Sequence, residues 1–144
     1  EAAGLVARLL GADLVVGFNL LRFDYRVLRP YTSLDPSAAR TLDIMAEVER
    51  VLGHRLSLDS LARATLGTGK TADGVMAVRW FREGLLDLVV EYCRADVKAT
   101  RGLFEFGMSH GYLEYFDRYR GHRRKVRVGW GGGEVRELYL RATG

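Results

Sequence analysis

Short apolar runs alternate along this chain with stretches of helical spacing. Glu1 to Leu10 places Leu5, Val6, Leu9 and Leu10 at intervals of three and four, which predicts a short helix stopped by Gly11. Leu14-Val15-Val16 is a β-branched run ended by Gly17 and predicts a buried strand. Asn19 then stands where its side-chain oxygen can take a free amide of a helix that starts near Leu21 and closes at Pro30. At about 100° per residue, Asp24 falls on the same side of that helix as Leu20, Val27 and Leu28, with Arg22, Arg26 and Arg29 opposite.

Residues 31–40 read as a loop, with Asp35-Pro36 as turn chemistry. Thr41 to Met45, TLDIM, predicts a second strand, and Glu47 to Leu52 a turn of helix; Asp43, inside the strand run, is ambiguous. Ser57 is placed to cap a helix through Leu66 ended by Gly67, and Thr71 another through Trp80. The longest helix runs from about Leu85 to Ser109, closed by Gly111. Arg124 to Leu140 alternates through Val126, Val128, Trp130, Val135, Leu138 and Leu140, which predicts a β-hairpin across Gly131-Gly132-Gly133, a glycine-rich linker being the alternative.

On a helical wheel, Asp87, Glu91, Arg94, Lys98, Arg101 and Glu105 form a solvated face of the long helix. Leu85, Leu88, Val89, Val97, Leu103 and Phe104 cover the opposite side, and Asp96 lies in the middle of that apolar arc, one turn from Tyr92. A single inward acid is explained by a bond to Tyr92 or to a backbone amide. Two of them, Asp24 and Asp96, would repel each other without a counter-charge. A divalent cation between them removes the repulsion, and hard ions such as magnesium take oxygen ligands of this kind.

Composition narrows the picture. An apolar share of 48% with 28% charged residues is that of a folded globular domain. No apolar run approaches the roughly 18 residues of a membrane span. Cys93 is the only cysteine, so no internal disulfide forms and a cytoplasmic setting is expected. His54, His110 and His122 match no zinc spacing. The net charge of +4 is uneven: Arg118 to Arg127, RYRGHRRKVR, carries six cations and no acid, leaving −2 for the rest. Such a segment suits a polyphosphate partner or a solvated tail equally.

Asn19-x-x-x-Phe23-Asp24 followed by Tyr92-x-x-x-Asp96, in this order and about 70 residues apart, resembles the second and third motifs of the DEDD-type 3′–5′ exonucleases, in the tyrosine-bearing subclass with an RNase H-like fold. The stretch Glu1 to Tyr115 resembles in particular the YprB-type ribonuclease H-like domains, found alone or beside helicase modules. The resemblance implies that Asp24 and Asp96 are catalytic metal ligands for Mg2+ or Mn2+, two ions in the intact family site, and that Tyr92 orients the attacking water. It puts Asn19 and Phe23 beside the nucleotide groove, Phe23 mainly as packing. Lys70, in GTGKT, lacks the glycine spacing of a P-loop and reads as a phosphate contact or an exposed loop lysine. Arg118, Arg123, Arg124 and Lys125 are the candidate nucleic-acid contacts of the basic segment.

The family's first motif, D-x-E, does not occur among the 18 residues before Asn19. The expected fold is therefore a helix-rich α/β, RNase H-like domain over 1–116 lacking its first three strands, followed by a basic extension over 117–144 with the hairpin. Two carboxylates hold at most one weak ion. By itself the chain is expected to be inactive, and either to self-associate through an uncovered sheet edge or to need the missing N-terminal part. The substrate implied is the 3′ end of single-stranded DNA or RNA. The alternative is a non-catalytic nucleic-acid-binding or interaction module derived from that fold.

Overall fold

The computed structural model describes residues 1–68 and 74–144. Lys70 and Thr71, singled out above, lie outside the described residues. The elements run α1 (Ala2–Gly11), β1 (Val15–Gly17), a π-helical turn (Leu20–Asp24), α2 (Tyr25–Leu28), β2 (Thr41–Asp43), α3 (Ile44–Leu52), α4 (Leu58–Leu66), α5 (Gly74–Arg82), α6 (Leu86–His110), β3 (Tyr112–Asp117), β4 (His122–Arg127) and α7 (Gly133–Thr143). This is a helix-rich α/β fold. Its sheets are small: β1 pairs with β2 in parallel, Val15 beside Thr41 and Gly17 beside Asp43, and β3 pairs with β4 antiparallel.

One core joins these parts. Ile44 and Val48 of α3, Leu61 of α4, Leu103, Phe104 and Met108 of α6, and Leu113 and Tyr115 of β3 pack together. Val126 of β4 and Trp130 belong to the same cluster, so the basic segment is anchored in the body. The Trp130 ring lies over Gly107, where a Cβ would come within 2.6 Å of it, and its indole N–H donates to the carbonyl of Phe104 at 2.9 Å. Thr65 ties α4 to β3 by donating to the carbonyl of Glu114 and accepting its N–H, at 2.8 and 2.9 Å.

Several helix ends follow their local chemistry. The Ser57 hydroxyl accepts the Ser60 amide, and Gly67 and Gly111 close α4 and α6 with positive φ. Three expectations are corrected. The hairpin does not lie on Arg124 to Leu140; it spans Tyr112–Arg127 and turns at Arg118 to Gly121, where Asp117 accepts the amides of Tyr119 and Arg120. The glycine run serves instead as a close approach, Gly131 lying against the Met108 carbonyl, and leads into α7, whose Val135, Leu138 and Tyr139 have helical spacing.

The second correction concerns the segment around Asp24. Asn19 does not cap with its side chain; it sits at φ 59, and the acceptor is Asp43. The following turn is π rather than α, so a wheel at about 100° misassigns its faces. Tyr25 becomes core at 1% exposure, its hydroxyl bonded to Thr41, while Val27 is turned outward. Third, the apolar arc of the long helix is buried only in its second half. Val97 is 70% exposed, and Leu85 and Leu88 are also exposed, because amphipathic spacing needs a packing partner and the described residues supply little there.

Candidate active site

The strand β1 ends at Gly17, and the chain must then turn sharply to enter the π turn. Gly17 permits this because Leu20 folds directly over it, filling the space a Cβ would need. The turn is held from β2: Asp43, 4% exposed, accepts the amide of Asn19 at 2.8 Å on one oxygen and that of Leu21 at 3.1 Å on the other. The same carboxylate caps α3 through the Ala46 amide at 3.4 Å. One buried acid thus supplies acceptors for two adjacent element ends, and the amides are what make its burial tolerable.

This brace delivers Asp24 to a cleft of about 510 Å³ between the end of β1 and the middle of α6. Asp96 lines the same cleft from α6, with Thr100 and Arg101, and Leu58 of α4 and Phe104 close the apolar side. Burial pushes the carboxyl of Asp24 above the usual range against a backbone hydrogen bond, and the charge of Asp43 adds to it. Burial likewise raises Asp96, opposed by a hydrogen bond from Tyr92 and assisted by the charge of Asp59. Both acids are therefore raised first by burial, with a neighbouring carboxylate adding to it. A cation placed near them would reverse that shift.

The chemistry of the donor set fits one hard divalent ion. Asp24 and Asp96 both line the cleft with carboxylate oxygens, while Asp43 is committed to three amides. Among the described residues, no group of three or more histidine, cysteine, aspartate or glutamate side chains could hold a metal.

Of the other residues singled out in the sequence, Asn19 is half-buried, is not part of the cleft lining, and contributes its backbone amide to the brace. Phe23 is 59% exposed, so its expected packing role is not met; the π turn swings it outward. Arg118, Arg123, Arg124 and Lys125 stand on the β3–β4 hairpin, away from the cleft lining. Two residues escaped the sequence reading. Asp43 was detectable as an acid four residues before Glu47 at a strand-to-helix junction, which is N-cap chemistry. Arg101, assigned to the solvated face, reaches the cleft edge five residues after Asp96.

A short parallel sheet, a cleft at its carboxyl end lined by Asp24, and a long helix that brings Asp96 to the same cleft make up a helix-rich α/β domain. A family model described as RNase_H superfamily matches residues 3–106, and the chain belongs to that superfamily. The described elements form a partial RNase H-like fold. No curated protein and no solved structure matches the chain. Among the described residues no helix is long and apolar enough to cross a membrane.

Proposed function

We propose that this domain carries the second and third motifs of a metal-dependent 3′–5′ exonuclease of the DEDD type, acting on single-stranded DNA or RNA ends. The observation that supports it is the convergence of Asp24 and Asp96, 72 positions apart, on one cleft. Within the RNase H superfamily, divalent ions bound by carboxylates activate water and stabilise the leaving oxygen of a phosphodiester. In this chain Asp24 and Asp96 would hold Mg2+ or Mn2+. Tyr92 donates a hydrogen bond to the Asp96 carboxylate, and in this reading it would orient the attacking water. Arg101 at the cleft edge, ion-paired with Glu105 at 3.4 Å, would have to exchange that partner to meet a phosphate.

Two carboxylates provide too little charge for a tightly held pair of ions. Residues 1–144 by themselves therefore bind one ion weakly and do not turn over substrate. Manganese titration followed by electron paramagnetic resonance tests this: wild-type chain should bind about one Mn2+, and Asp24→Asn or Asp96→Asn should each abolish it. Equal binding by both variants and wild type rejects the cleft as a metal site. Metal-dependent degradation of a 3′-labelled single strand by the pure chain rejects the inactivity.

A second reading, a non-catalytic nucleic-acid-binding module, is favoured by the cations gathered on the hairpin.

A further inference from the structure

The register of the hairpin sorts the basic segment into two faces. On the inner face Leu113, Tyr115 and Asp117 stand beside Val126, Arg124 and His122. Leu113 and Val126 are core there, and Asp117 engages Arg124 at 3.5 Å and Arg120 at 3.9 Å. These two arginines are thus spent on holding the turn. The outer face pairs Tyr112 with Arg127, Glu114 with Lys125 and Phe116 with Arg123. Arg123, Lys125 and Arg127 are exposed and make no ion pair among the described residues. Phe116 is 53% exposed beside them, and the Lys125 ammonium lies 4.3 Å from the centre of the Tyr112 ring.

We propose that this outer face is a platform for single-stranded nucleic acid, in which Arg123, Lys125 and Arg127 take backbone phosphates and Phe116 stacks on a base. Alternate residues of one strand lie about 6.6–6.8 Å apart. The three cations therefore form a straight row, which an extended sugar–phosphate chain can follow. An exposed ring within a cationic row is what a sequence-tolerant single-strand site requires, since every base offers a π face and every linkage a charge. The rest of the chain carries −2, so attraction for a polyanion is concentrated on this segment. The hairpin lies beyond residues 3–106, outside the family match. That the polyanion is a nucleic acid rests on the nuclease reading of the cleft; the charge and aromatic geometry do not.

Fluorescence anisotropy with 5′-labelled oligothymidylate in EDTA tests the platform without metal or cleavage. Arg123→Gln/Lys125→Gln/Arg127→Gln should weaken binding at least about tenfold and flatten the log–log salt slope by about 2, given roughly 0.7 per phosphate contact on a single strand. Phe116→Ala should weaken it about tenfold while leaving the slope unchanged. Arg8→Gln/Arg26→Gln/Arg82→Gln, an equal charge change elsewhere, should leave it unchanged. If the triple variant fails to fold by circular dichroism, Lys125→Gln and Phe116→Ala carry the comparison.

An unchanged triple variant, an equal loss in the control, or duplex DNA bound as tightly as the single strand overturns the proposal. Competition by polyglutamate as effective as by the oligonucleotide would assign the face to acidic proteins and overturn it too. Asp24→Asn/Asp96→Asn should bind like wild type. A wild-type chain that binds the oligonucleotide but no manganese would reject the cleft alone, and one that binds manganese but no oligonucleotide would reject the platform alone.

Discussion

The carboxylate of Asp43 accepts the backbone amide of Asn19 at 2.8 Å, and this contact crosses from the end of one parallel strand to the end of the other. It holds Asn19 in the left-handed region, where asparagine is among the few side chains tolerated. The π turn starts at the next residue and ends on Asp24. The position of a cleft acid is thus set by a different acid that does not line the cleft.

Removing that brace should cost stability and site geometry together. Asp43→Ala leaves the amides of Asn19, Leu21 and Ala46 without their acceptor, and a charged acceptor of this kind is worth about 1.5–3 kcal/mol. Urea unfolding should show a loss of about 3 kcal/mol for Asp43→Ala and less for Asp43→Asn, which retains one acceptor oxygen. Manganese affinity should fall in both, although Asp43 is no ligand. Wild-type affinity in a folded Asp43→Ala chain would show that the turn holds without it.

The raised carboxyls of Asp24 and Asp96 set the sign of a pH effect. Their native forms hold protons more tightly than the unfolded chain, so the stability they contribute is full below the ordinary carboxylate value of 3.8 and declines as pH rises through the raised values. Asp96→Asn should therefore raise the melting temperature by about 2–4 °C near pH 7, and the gain should vanish toward pH 3. Metal affinity should climb with pH over the same interval, because the ion displaces those protons. A pH-independent gain would mean that ionisation of Asp96 is not what costs stability.

Gly107 and Trp130 form the joint between the long helix and the C-terminal segment. A methyl group on Gly107 collides with the indole ring, and overpacking of this kind costs about 1–3 kcal/mol. Gly107→Ala should lower thermal stability accordingly and red-shift the emission of Trp130 as the ring is expelled; Trp80→Phe removes the other indole from that measurement. An unshifted spectrum would show that the ring accommodates the methyl in place.

The first half of α6 presents Leu86, Val90 and Val97 to solvent, next to exposed Val75, Val78 and Phe81 of α5. Contiguous apolar surface of this kind drives association. Sedimentation should show concentration-dependent self-association, reduced in Val90→Lys/Val97→Lys with no loss of melting temperature. A wild-type chain that stays monomeric at every concentration would leave no role for this face in self-association.

The amphipathic spacing, the serine cap at Ser57, the glycine stops at Gly67 and Gly111, and the strand run before Gly17 were legible because each is settled within a few residues. Asp96 stood out as the one acid on the apolar arc of the long helix, whereas the wheel that turned Asp24 inward assumed an α-helix where the chain forms a π turn. Other features needed partners distant in the chain. The π turn exists because Asp43, more than 20 residues on, holds its first amides. The glycine run became a close approach to α6 because Trp130 had found the space over Gly107. Arg123 and Arg124 are identical in the sequence, yet strand register points one outward and ties the other to Asp117. Local preferences carry only about a kilocalorie per residue, so wherever a buried acid or an indole had to be satisfied across the fold, packing decided the conformation.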